Sequence, residues 1–279
     1  MTKLFIKLFL IVLTAQIVSG CQYFMTENEK EAQKYFELAN EEYKSIGPKD
    51  LKSILENYNR AIELNPNLAD AYIGRSVVYK LVHLPLGIEE VKKAAAVETY
   101  EEAQIKALQD CTSALKADPN SARAYRWRAY LTWLNNYDDL NVLNSVLADL
   151  NKAINIDSDY LDAYEMRADV YMELKNYVQA IDDYTYILTY PDYRNSSYLK
   201  YYDFDLVDAW AWYIDWDQRI AHLYNKRGSA YYKNGDIDKA LDDFERALKL
   251  SPNNMWIGRG FVGNLEQAIA EKNLRNVSK

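Results

Sequence analysis

Two histidines, two cysteines and recurring pairs of carboxylates are the residues of this 279-residue chain from which chemistry could be built. His83 stands in Val82-His83-Leu84-Pro85 and His222 lies far downstream, so no His/Cys cluster has metal-ligand spacing and no metal is expected. Asp182-Asp183 and Asp242-Asp243 recur at one place in a repeating pattern, which marks them as structural. No phosphate-binding glycine loop and no Gly-x-Ser-x-Gly elbow occurs, and nine glycines leave little material for one. The chain is therefore not expected to be an enzyme or to hold a cofactor. If Cys21 is consumed by processing, Cys111 is the single remaining thiol. It sits where other units place Tyr58, Leu150, Tyr184 and Phe244, so it reads as a small buried hydrophobe.

The elements that position these residues repeat five times. Tyr35, Tyr72, Tyr125, Tyr164 and Tyr224 each precede a small residue by four positions: Ala39, Ser76, Ala129, Ala168 and Gly228. A second stretch in each unit centres on Ala61, Ala114, Ala153, Ile187 or Ala247 and runs out into a turn such as Asn65-Pro66-Asn67 or Asp118-Pro119-Asn120. The opening tyrosines stand 37, 53, 39 and 60 residues apart. A period in this range means stacked helical hairpins, not a globule around one core.

The units resemble the tetratricopeptide repeat, a helix–turn–helix module of 34 residues. Ala221 to Asn254 is the best copy, with Tyr224, Gly228, Tyr231, Gly235, Ala240, Phe244, Ala247 and Pro252 at the family's spacings. The resemblance implies an all-α, tetratricopeptide-like helical-hairpin solenoid of about five decorated repeats. These would fall near 32–68, 69–121, 122–160, 161–194 and 221–254, inside a solenoid spanning 31–254. Insertions fall near 85–103 and 195–220, and residues 255–279 carry a C-terminal capping helix over Leu265 to Leu274.

A charge pattern runs inside the repeat. Arg75, Arg128, Arg167 and Arg227 lie three residues after the opening Tyr, and Asp110, Asp149, Asp183 and Asp243 four before the second-helix centre. The first unit has Leu38 and Asn57 instead, losing both charges together. Pairing within each unit accounts for every copy, so an Arg–Asp bridge between first and second helix is expected in four units.

At the N-terminus, Lys3 and Lys7 flank the apolar run Leu8 to Val18, too short to span a bilayer and ending at Val18-Ser19-Gly20-Cys21. This resembles a bacterial lipobox, which implies a signal peptide over 1–20 and a lipidated Cys21, with 21–30 as a short tether. Lipid on Cys21 would anchor the chain to a membrane of the cell envelope. Gln22 after the Cys points to the outer membrane where a cell has two. Net charge is −8, two units more negative without Lys3 and Lys7, and no basic cluster argues for nucleic acid.

In the tetratricopeptide family the first helices line a concave groove that binds peptides or proteins. Of the residues that clamp a carboxylate in one version, Asn40 matches a site but Val77 and Tyr130 do not, so that clamp is not expected. The groove candidates are Arg123, Arg126, Tyr130 and Trp133 in the third unit, Asp162, Glu165 and Asp169 in the fourth, and Asn225, Ser229 and Lys233 in the fifth. This basic-aromatic strip beside an acidic one either recognises a polar peptide or neutralises itself, with Arg126 bridging to Glu165.

Two insertions decorate the array. Gly87 to Leu108 reads as an extended second helix. From Tyr190 to Trp216 ten of 27 residues are aromatic, against 14% for the chain, and a helix is expected from near Leu206. Trp210, Trp212, Tyr213 and Trp216 either fill the concave face or form an exposed binding hot spot. The expected function is a membrane-tethered scaffold or adaptor for envelope proteins or peptides. The alternative is a glycan- or peptidoglycan-binding lipoprotein that stacks sugars on Trp212 and Trp216.

Overall fold

The computed structural model describes residues 25–44, 50–81, 92–94, 96–134, 136, 139–191, 216–252 and 258–277. Helices α1 (Glu27–Lys44), α2 (Leu51–Leu64), α3 (Ala69–Lys80), α4 (Tyr100–Ala117), α5 (Ala122–Trp133) and α6 (Leu140–Ile156) form three hairpins. Helices α7 (Leu161–Glu173), α8 (Tyr177–Thr189), α9 (Trp216–Asn234) and α10 (Ile237–Leu250) form two more, and α11 (Gly258–Val277) packs on α10. Each second helix also packs on the next first helix, which makes the array an all-α solenoid without a strand among the described residues.

Local chemistry sets the ends of these helices. Thr26 and Glu29 form a reciprocal capping box: Glu29 N–H donates to Thr26 Oγ1 at 3.2 Å, and Thr26 N–H donates to Glu29 Oε2 at 2.7 Å. Helix α1 therefore starts at Glu27, inside the stretch read as tether. Asp50, Ser121 and Asp139 cap α2, α5 and α6 with side-chain oxygens. Second helices stop in a repeated Asx turn, where Asn65, Asp118 and Asp157 accept from the N–H two residues on. Gly235 and Lys175 occupy the same place in the turns after α9 and α7, and both have positive φ, 88° and 60°. Glycine takes that conformation freely, whereas lysine does so at a cost of about 1–2 kcal/mol.

The second unit departs from expectation. An extended helix from Gly87 does not reach Leu108 unbroken: Ala96 has φ 49°, and α4 begins afresh at Tyr100 with Thr99 Oγ1 accepting from Glu102 N–H at 3.2 Å. A left-handed alanine cannot continue a right-handed helix, and the threonine restarts one. The last helix is longer than the expected 265–274 at both ends.

Close packing explains the small residues. Ala39, Ala129, Ala168, Ala61, Ala114, Ala153 and Ala247 are all buried where helices approach. A Cβ on Gly74 would lie 2.5 Å from the Tyr58 ring, and one on Gly228 would lie 2.7 Å from Phe244. Cys111 is buried and free, in the row of Tyr58, Leu150, Tyr184 and Phe244. Burial pushes its thiol up to about 12.

Candidate functional site: arginine nodes and the first-helix face

The structure brings each repeat arginine onto the aspartate of its own unit. Arg75 Nε and Nη2 donate to the two Asp110 oxygens at 2.9 and 2.6 Å, and Arg128 does the same to Asp149 at 2.7 and 2.6 Å. Arg167 meets Asp183 at 2.8 and 2.6 Å, and Arg227 meets Asp243 at 2.7 Å through both nitrogens. These are fork-to-fork bonds, which fix orientation as well as charge. Burial pushes the Asp110 and Asp183 carboxyls up against the pull of Arg75 and Arg167, so these charges would be costly to leave alone.

A third partner was missed in the sequence. Arg75 Nη1 donates to Asn59 Oδ1 at 2.7 Å, Arg167 Nη1 to Asn151 Oδ1 at 2.7 Å, and Arg227 Nη1 to Thr185 Oγ1 at 3.1 Å. Each acceptor lies on the second helix of the preceding unit, two residues before its centre. The arginine is thus a node joining three helices in two repeats. The signal was a polar residue at that same offset in the preceding unit. In the second unit the corresponding Thr112 bonds to Leu108 O of its own helix. Each node also lies over its repeat-opening tyrosine, at 5.7 Å for Arg75–Tyr72, 5.5 Å for Arg128–Tyr125, 5.1 Å for Arg167–Tyr164 and 5.5 Å for Arg227–Tyr224.

Away from the nodes, the groove candidates lie on α5, α7 and α9. On α5, Arg123 Nη1 donates to Asp70 Oδ1 at 3.3 Å, Trp127 and Tyr130 stack at 5.1 Å, and Arg126 lies 5.7 Å from the Tyr130 ring centroid. Lys80 of α3 reaches the same ring at 4.6 Å, and Trp127 Nε1 donates to Ser76 Oγ. Trp133 packs at the edge of the cluster around Leu143 and Val146. On α3, Ile73 and Val77, at the positions that match Arg126 and Tyr130 of α5, are buried.

The acidic strip of α7 meets cations that the sequence reading had not assigned to it. Glu165 Oε1 accepts from Lys226 Nζ at 2.8 Å and its Oε2 from Arg219 Nη2 at 3.1 Å. Lys226 also donates to Asp169 Oδ2 at 2.7 Å, Arg219 lies 3.8 Å from Asp162, and Tyr184 Oη donates to Asp169. Where the self-neutralising alternative pairs Glu165 with Arg126, α9 instead brings Lys226 to it from inside the fifth repeat and Arg219 from the extra turn that α9 carries ahead of Ala221. Burial works to raise Glu165, but Lys226, Arg219 and His222 outweigh it and hold the carboxyl well below its ordinary range. Lys226 is held above its ordinary value, with Asp169 and Glu165 overcoming burial. Asn225 Oδ1 is shielded from water and has no hydrogen-bond partner among the described residues.

Cys21, the Val18-Ser19-Gly20 segment, His83, Trp210, Trp212 and Tyr213 lie outside the described residues; Trp216 enters as the first residue of α9. Among the described residues no helix is long and apolar enough to cross a membrane, and no group of three or more His, Cys, Asp or Glu residues could hold a metal ion.

Fold and nodes together define an α-helical repeat protein. Residues 221–254, the fifth unit, match the tetratricopeptide repeat. No curated protein matches the chain. Similar solved structures include the MamA protein, at 14% identity and TM-score 0.48, spanning 82% of this chain and 97% of that one. YrrB, described as a TPR protein with an unusual peptide-binding site, is similar at 16% identity and TM-score 0.48, spanning 82% and 91%. TTC0263, a thermophilic TPR protein in Thermus thermophilus, is similar at 15% identity and TM-score 0.46, spanning 84% and 98%.

Proposed function

We propose that this chain is a scaffold for other proteins of a bacterial cell envelope, tethered to a membrane by lipid on Cys21 and presenting the first-helix face of its solenoid. The observation that carries the reading is the tetratricopeptide repeat at 221–254 within an array of five hairpins. The residue supply agrees with it. Asp110, Asp183 and Asp243 are buried in Arg–Asp nodes that hold helices together, which is what a rigid presenting surface needs. The α5 face adds Arg126, Tyr130 and Trp133, residue types over-represented where binding energy concentrates. An extended polypeptide with both apolar and acidic side chains fits such a face.

Fractionation and capture test the two halves separately. Cys21→Ser is expected to move the protein from membrane to soluble fractions, and retention on the membrane contradicts the tether. Capture of a discrete envelope protein by the full chain is expected to survive Cys21→Ser and to be lost in Arg126→Glu. Capture that survives Arg126→Glu unchanged contradicts use of the α5 face.

A further inference from the structure

The joint between the fourth and fifth units differs from the other joints in the solenoid. Helix α8 ends at Thr189 and α9 begins at Trp216, whereas α2 and α3, α4 and α5, and α6 and α7 are each separated by four residues. By covalent reach alone, a span of that length sets no register for α9 along α7 and α8. Among the described residues, contacts carry that information.

Two kinds of contact are available. The apolar cluster at the joint joins Leu161, Ala168, Ile181 and Tyr184 to Leu223 and Ala230. Apolar attraction is non-directional, and alanines at the closest approach leave a helix free to slide. The ion network is directional. Glu165 turns one oxygen to Lys226 and the other to Arg219, and Lys226 bridges Glu165 and Asp169, one helical turn apart on α7. Sliding α9 by one turn, about 5.4 Å, toward the start of α7 would take Arg219 off both Asp162 and Glu165, and sliding it the other way would take Lys226 off Glu165. The side chains are largely shielded from water: 14% exposed for Glu165 and 22% for Lys226 and Arg219. A mispaired charge there keeps its desolvation cost and loses its compensation.

We propose that the Asp162–Glu165–Asp169 strip with Arg219 and Lys226 is a register lock, which fixes the C-terminal module α9–α11 in one position on the rest of the solenoid. Its contribution is uniqueness of position, a role separable from stability because a buried ion pair can be replaced by apolar groups of similar volume at little net cost.

Spin labels at Ser145 on α6 and Lys233 on α9, both exposed, read the register in the full chain carrying Cys21→Ser, with Cys111 buried and unlabelled. The parent is expected to give one narrow distance distribution. Glu165→Met with Lys226→Met is expected to add a second population displaced by about one helical turn, roughly 5 Å. An unchanged single distribution in a folded variant overturns the proposal. Should that variant not fold, Arg219→Gln, which removes one cation and leaves Lys226 in place, reads the same way: a broadened or split distribution supports the lock, and an unchanged one refutes it.

Discussion

Replacing Arg167 by leucine removes three hydrogen bonds at once: two to Asp183, at 2.8 and 2.6 Å, and one to Asn151 at 2.7 Å. Asp183 would stay in place, its side chain 7% exposed, with no cation to balance it. Breaking one side of such a pair costs about 3–5 kcal/mol, most of it the unpaired buried charge. Loss of the Asn151 bond adds roughly 1 kcal/mol. Asp183→Leu leaves Arg167 in the mirror situation, still bonded to Asn151, and is expected to cost slightly less. The double variant leaves two leucines facing each other across α7 and α8, so it should be far milder than the sum of the singles. Urea unfolding followed by circular dichroism, run as a double-mutant cycle, reads the coupling directly. A coupling energy of about 2 kcal/mol or more is expected, and singles that simply add would refute the node. The four nodes should also rank by shielding. Arg227–Asp243, at 12% and 2% exposure, should couple most strongly, and Arg128–Asp149, at 32% and 13% and with Thr112 bonded within its own helix, least.

Gly74→Ala would force a methyl to 2.5 Å from a Tyr58 ring whose hydroxyl is held by Asn40 at 2.7 Å, so thermal unfolding should reveal a loss of about 1–3 kcal/mol despite alanine's better helix propensity; an unchanged melting temperature would contradict the close approach. Because Glu165 is held below the unfolded carboxylate value of about 4.3, its contribution is fully present above that pH and is lost as pH falls through the folded value. Glu165→Gln should therefore flatten the acid limb of stability below about pH 4, and superimposable limbs would count against the network. The Cys111 thiol, buried and pushed up to about 12, should ignore a thiol reagent at neutral pH until the chain is unfolded, and fast labelling of the native protein would contradict its placement.

The hairpins are legible because packing at helix crossings repeats: a small residue at the close approach and a tyrosine four positions before it recur in every unit. Arg–Asp pairing within a unit was also readable, since the first unit loses both charges together. Its third partner was overlooked, though Asn59, Asn151 and Thr185 share an offset, because a polar residue on a helix has an equally good solvent-facing explanation. Glu165 shows the limit of counting. Arg219 reaches it only because α9 begins ahead of the repeat, which the repeat pattern does not specify, and Lys226, inside the repeat, has an equally good solvent-facing explanation. The break at Ala96 was likewise hidden, since three successive alanines favour helix and only the Thr99 cap marks the restart.

The proposed function requires the solenoid to bind other proteins through its first-helix face. In-cell photo-crosslinking from position 233, exposed on that face in the fifth unit, against position 145, exposed on a second helix, tests it most directly. A discrete envelope protein is expected to be captured from position 233 and not from position 145. Capture from position 145 alone, or none from position 233, would contradict it.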